Sequence, residues 1–251
     1  QMGAFIAAFL FMWKKRERFD FELKLSYLKL DREILWILVR LGIPQVVRSM
    51  FVRFGMLWVN SSANAYGLVV SATNSVGNKL QKFLEVFIQG IDTASASMIG
   101  QNLGARKTER AGKTTICTVT AAMVCAAFSA CLCIFFPHQI FGIFTNEADV
   151  MSVAMEYLPV SVLIFFGSAC RAPMNAFING SGNYKINFLC AILDGLILRV
   201  GLALLLGVGA GLGYVGFWLG DALAGYTPLW MGFIYYATGR WKTRKYVLKV
   251  K

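Results

Sequence analysis

Six side chains able to hold a proton or an ion recur at three- and four-residue intervals between residues 68 and 100: Asn78, Gln81, Lys82, Glu85, Gln89 and Asp92. That spacing places them in one sector of a helix, because residues three and four apart stack on the same side. Two carboxyls, an ammonium and three amides are groups that coordinate cations, carry protons or hold a polar solute. They stand in an otherwise apolar stretch, where a central charge costs about 2.5 to 3.5 kcal/mol on insertion scales, so the sector must face protein or water. Asn78, Lys82, Glu85, Gln89 and Asp92 are therefore expected to line a substrate or ion pathway. The apolar stretch before it contributes Gln45 and Arg48 to the same pathway, and also carries Arg40, Arg53 and Asn60. Glu85 and Asp92 are the candidate cation or proton site.

Other charges match in depth when each helical hairpin is folded about its connection. Arg199 and Asp221 are symmetric about residue 210, and Arg171 and Asp194 nearly so about residue 182. These four are read as structural ion pairs that neutralise buried charge and hold helices in register. The same folding brings Glu85 within about one turn of Arg48, and Asp92 close to the height of Arg40. Other chemistries lack their residues. Cys117, Cys125, Cys131, Cys133, Cys170 and Cys190 form no Cys-x-x-Cys pair, and His138 is the only histidine. A metal site or a nucleophile relay would need more. The glycines at 207, 209, 211, 213 and 216 follow no strand, so they are not a nucleotide fingerprint. Enzymatic catalysis, a resident metal and a bound cofactor are not expected.

The elements that position these side chains are six apolar stretches, at about 34–62, 68–100, 114–136, 149–178, 184–207 and 213–236. Each reaches the roughly 20 residues a helix needs to cross a hydrocarbon core of about 30 Å. They are too long and too continuously apolar for barrel strands. The connections alternate in charge: residues 14–33 carry seven Lys/Arg, 101–113 four, 184–185 only Lys185, and 237–251 six, while 63–67, 137–149 and 208–213 carry none. That is the positive-inside pattern of a polytopic membrane protein with both ends of the six-helix block in the cytoplasm. Composition agrees, with 57% hydrophobic and 15% charged residues against about 25% charged in a soluble domain. The net charge of +12 is largely topological and suits anionic lipid, so nucleic acid is not a partner. The fold class is all-α: a six-transmembrane-helix bundle in the cytoplasmic (inner) membrane.

Residues 1–13 form an apolar run too short to span, read as the end of a helix that begins upstream; the chain thus reads as a fragment. Residues 14–33 read as a cytoplasmic linker, lying along a surface or simply solvated, 34–236 as the six-helix lobe, and 237–251 as a basic cytoplasmic tail. Pro44, Pro159, Pro173 and Pro228 are expected to kink their helices.

The segment Gly100-Gln101-Asn102-Leu103-Gly104-Ala105-Arg106-Lys107, continuing to Glu109, Arg110 and Ala111, resembles the signature of multidrug and toxic compound extrusion (MATE) transporters. Further matches keep the family order: Leu41-Gly42-Ile43-Pro44, Phe144-Thr145-Asn146-Glu147, Gly180-Ser181-Gly182-Asn183 and Gly239-Arg240-Trp241-Lys242. Together they cover about residues 34–245. The resemblance implies a twelve-helix transporter of two lobes, of which this chain is similar to the C-terminal one plus the end of the sixth helix. It implies exchange of an inward sodium ion or proton for an outward organic, often cationic, compound, by rocking of the lobes about a central cavity. The partners implied are the missing N-terminal lobe, the lipid bilayer and a small organic substrate; the coupling ion is cargo, not cofactor. The family loop, with Gln101, Asn102 and Gly104, is expected to make a tight charged turn at Gly104. Acidic residues that one branch of the family uses in helices seven and ten would fall near Val52 and Ser168, neither of which is acidic. Two other readings stay open. Arg40, Arg48 and Arg53 suit the pyrophosphate of a lipid-linked saccharide carried by flippases of the same superfamily, and a noncatalytic membrane scaffold or a half-size protein that dimerises is the other.

Overall fold

The computed structural model describes residues 2–14 and 32–242. The expected linker and basic tail therefore lie mostly outside the described residues. Those described form helices, with no strand among them. In chain order they are α1 (Met2–Lys14), α2 (Arg32–Asn64), α3 (Leu68–Gly104), α4 (Thr108–Phe135), the short α5 (Pro137–Gly142), α6 (Ala148–Gly180), α7 (Tyr184–Gly209), α8 (Gly213–Ala224) and α9 (Thr227–Ala237). The chain divides into two units, residues 1–39 and 40–251. In the first, Phe5, Phe9 and Trp13, each four residues from the next, stack along α1. Its 13 residues reach about 20 Å, short of a bilayer core.

In the second unit α6 is central, packing on α3, α4, α8 and α9. Gly77 lies against Tyr157, Glu85 bonds Arg171, and Gly180 touches Ala96, so α3 and α6 run parallel. Small residues allow the closest crossings, as expected where lipid removes the hydrophobic drive for helix association. Gly216 and Gly220, one turn apart on α8, lie so near the α7 backbone that a Cβ would come within 2.5 Å of Leu206 and 2.4 Å of Ala203. Where α2 crosses α7, a Cβ on Gly55 would stand 2.3 Å from the Gly195 carbonyl oxygen.

Among the described residues, three helices combine high apolarity with the length needed to cross a membrane: α4, α6 and α7. The other three expected stretches are helical too, but differ in kind. α2 and α3, at 33 and 37 residues, are long enough but interrupted by charge. The sixth span is two helices, because the chain breaks at Gly225-Tyr226 and restarts with Pro228 in the first turn of α9, where its missing N–H costs nothing. The break thus precedes the proline. α6 continues as one helix through Pro159 and Pro173.

Candidate ion and substrate pathway

On α3 the polar side chains span about 100° of arc, from the bundle side to the open side. Gln81 and Asn74 are buried, Asn78, Glu85 and Asp92 half-buried, and Lys82 and Gln89 exposed. One sector is thus divided between two environments. Its dry edge begins with an asparagine ladder: the Asn74 amide donates to the side-chain oxygens of Asn60 (2.8 Å) and Asn64 (3.1 Å), and Asn78 donates to Asn60 (3.3 Å). These bonds fix the register of α2 against α3.

Glu85 follows two turns along. Its carboxylate accepts from Gln81 (3.1 Å) and from the Arg171 guanidinium on α6 (3.0 Å). Glu85 pairs with neither Arg48 nor any other α2 cation among the described residues, and Arg171 does not reach Asp194. Depth had suggested both pairings. Equal depth says nothing of azimuth, and Arg171 points along the parallel α3–α6 interface.

Asp194 bonds instead to Arg199 on its own helix, at 2.9 Å, with 0% and 1% of the two side chains exposed. Residues five apart diverge in an α-helix, but α7 is π-helical over Leu193–Leu198, and i to i+5 bonding stacks such residues. Arg199 also donates to Asp221 of α8. One cation thus ties two acids, α7 and α8 together. A cavity with room for a single water, lined by Gln81, Ser168, Arg171, Arg199 and Asp221, joins this node to the Glu85 network.

Arg48 is buried, with 7% of its surface exposed. It donates to the Asn187 side-chain oxygen (3.2 Å), whose amide donates to Gln45 (2.7 Å). No carboxylate lies within ion-pair distance of it among the described residues. Arg40 sits over the Tyr184 ring and donates to its hydroxyl at 2.8 Å, not to Asp92. Asp92 lies in the field of Arg48 and Arg171, yet its Oδ1 is buried without a hydrogen-bond partner among the described residues. The Asn175 Oδ1, one turn beyond Arg171 on α6, is in the same condition.

At the family loop, Gln101, Asn102 and Gly104 are still helical and the turn is only Ala105-Arg106-Lys107. The Lys107 N–H bonds the Asn102 carbonyl and the Arg106 N–H that of Leu103, a Schellman closure. Its left-handed residue is Arg106, at φ 59°, and Gly104, where the tight turn was expected, is the last residue of α3. Asn102 also donates to the Met98 carbonyl. The roles of Asn187, Asn175 and Tyr184 went unread in the sequence. Isolated polar residues in an apolar stretch were the signal, but they lack the periodic company that marks α3.

Glycine-mediated crossings, apolar spans and a polar seam define a lobe of a multi-pass α-helical membrane protein. The sequence model of the MatE family matches residues 44–205, and the chain belongs to that family. It is 23% identical over 238 residues to the probable multidrug resistance protein YoeA of Bacillus subtilis (strain 168), covering 94% of this chain and 51% of that protein. It is 24% identical over 178 residues to the multidrug export protein MepA of Staphylococcus saprophyticus, covering 70% and 39%. The chain spans about half the length of the curated relatives it matches, or less. Among solved structures it resembles a MOP superfamily transporter from Pyrococcus furiosus, with a TM-score of 0.83 and 20% identity over 95% of this chain and 54% of that one. An outward-facing multidrug resistance MATE transporter gives 0.82 and 22% over 96% and 54%. These likenesses establish the fold.

Proposed function

We propose that this chain is one lobe of a secondary transporter that exports organic compounds in exchange for an inward proton or sodium ion, by alternating access against a second six-helix lobe. Membership of the family supports the class, and the α3 sector supports a pathway on this lobe. The observation that carries the coupling reading is the buried, partnerless Oδ1 of Asp92. Glu85, the other candidate, is already engaged by Arg171 and Gln81. Asp92 is the acid left to change partners, taking up a proton or cation in one state and turning to Arg48 or Arg171 in the other. A carboxylate that alternates between a cargo ion and a fixed cation ties uptake to the position of α3 against α2 and α6. In this arrangement the connections rich in Lys/Arg face the cytoplasm, with the protein in the inner membrane. Asn78, Lys82 and Gln89 line the substrate path; Gln45 and Arg48 form its far wall.

The test uses the full-length protein in proteoliposomes, with pH and sodium gradients imposed separately while dye export is followed. Asp92→Asn is expected to abolish the response to the driving gradient and Asp92→Glu to retain it. Export by Asp92→Asn with unchanged ion dependence removes this reading.

A further inference from the structure

Two cations on the pathway face make no ion pair among the described residues. Lys82 on α3 and Arg53 on α2 are both exposed, and neither makes an ion pair or hydrogen bond among the described residues. The Asn60–Asn78 bond fixes where they stand. Arg53 is seven residues before Asn60 and Glu85 seven after Asn78, so in antiparallel helices Arg53 and Glu85 share a level on the seam, with Lys82 one turn away. Glu85 is committed to Arg171. Both cations lie near the middle of helices of 33 and 37 residues, at a depth where lipid cannot accept a charge cheaply.

The neighbouring sector of α3 is apolar and exposed at Phe83, Phe87 and Met98, as a lipid face should be. α4 has no charged residue from 114 to 135 and exposes Ile116, Val124 and Phe128. The charges are therefore confined to one face, where water or cargo meets them. Arg48, buried behind and donating to the neutral Asn187 side chain, adds positive potential to the same seam.

We propose that this lobe binds its cargo through an anionic group, a carboxylate, phosphate or sulfonate, held between Arg53 and Lys82 with the Gln89 and Asn78 amides beside it. The inference rests on the transport reading and names the substrate class for that site. It departs from the organic cations that the family resemblance implies. A guanidinium and an ammonium with free donors bind such groups strongly where water is scarce, whereas a cationic cargo would be repelled by both.

The experiment follows three probes in proteoliposomes of the full-length protein: carboxyfluorescein as a soluble anion, phosphatidylglycerol with a fluorescent acyl chain as a lipid phosphate, and ethidium as a cation. Saturable movement of either anion is expected, the arm that responds telling a soluble cargo from a lipid. Arg53→Gln and Lys82→Gln should each raise its KM by about tenfold or more, the worth of a lost charged hydrogen bond. Lys82→Arg, which keeps the charge, should restore it. Movement of ethidium alone overturns this inference and leaves the transport reading standing; movement of no probe overturns both. Anion movement indifferent to both glutamine substitutions also overturns it.

Discussion

Arg199 is the side chain on which the buried electrostatics of the second unit turn. It is bonded to Asp194 and Asp221, and its own Nε and the Asp194 Oδ2 are left without partners among the described residues. Removing one member of a buried ionic group strands the others, at a cost of about 3 to 5 kcal/mol. Arg199→Met leaves two acids without a cation, while Asp221→Asn leaves Arg199 still paired with Asp194. The thermal midpoint of the full-length protein in detergent should therefore fall much further for Arg199→Met, and equal losses would show that the node is not the unit described. Arg106 makes a smaller case. A non-glycine residue in the left-handed region carries about 1 to 2 kcal/mol of strain, and its φ is 59°. Arg106→Gly should exceed Arg106→Ala in stability by about 1 kcal/mol, the alanine variant controlling for the lost charge. If the two variants unfold together, the turn is not held as described.

At the scale of elements, the glycine contacts divide into crossings that tolerate no methyl and positions that do. Gly55→Ala drives a Cβ against the Gly195 carbonyl oxygen, and Gly220→Ala against the Ala203 backbone. Neither obstacle is a flexible side-chain end. Each should cost about 1 to 3 kcal/mol or more, as overpacking does. Gly201→Ala meets nothing within 4 Å and should be neutral or stabilising by up to about 1 kcal/mol. A shared effect in thermal unfolding would contradict these crossings. The helices themselves were legible from hydropathy, because the stretches at about 68–100 and 149–178 and the helices α3 and α6 differ only by a few residues at the ends. Their partners were less so. Hairpin symmetry supplied the depth of Arg199 and Asp221, which do meet, but misassigned Arg171, whose true partner lies on a helix distant in sequence. The π-helical turn that brings Asp194 to Arg199 has no periodic signature, and neither does the break before Pro228.

At the scale of the whole molecule, the exposed sides of the second unit differ in kind. The α4 side is a continuous apolar sheet of side chains around Phe128, while the α2–α3 side carries Arg53, Lys82 and Gln89. The proposed function requires that the polar side see water in at least one state and that the α4 side not. The difference is measurable by replacing the native cysteines of the full-length protein, six of which lie in this chain, and introducing Lys82→Cys or Phe128→Cys singly. In membrane vesicles a membrane-impermeant maleimide is expected to modify the cysteine at 82, at a rate that changes when the driving gradient is imposed. The cysteine at 128 should stay unmodified throughout, since a thiol among acyl chains stays protonated and unreactive. Protection at both positions in every condition would place the α3 sector against lipid or dry protein, leaving Asp92, Lys82 and Arg53 no water through which an ion or a solute could reach them.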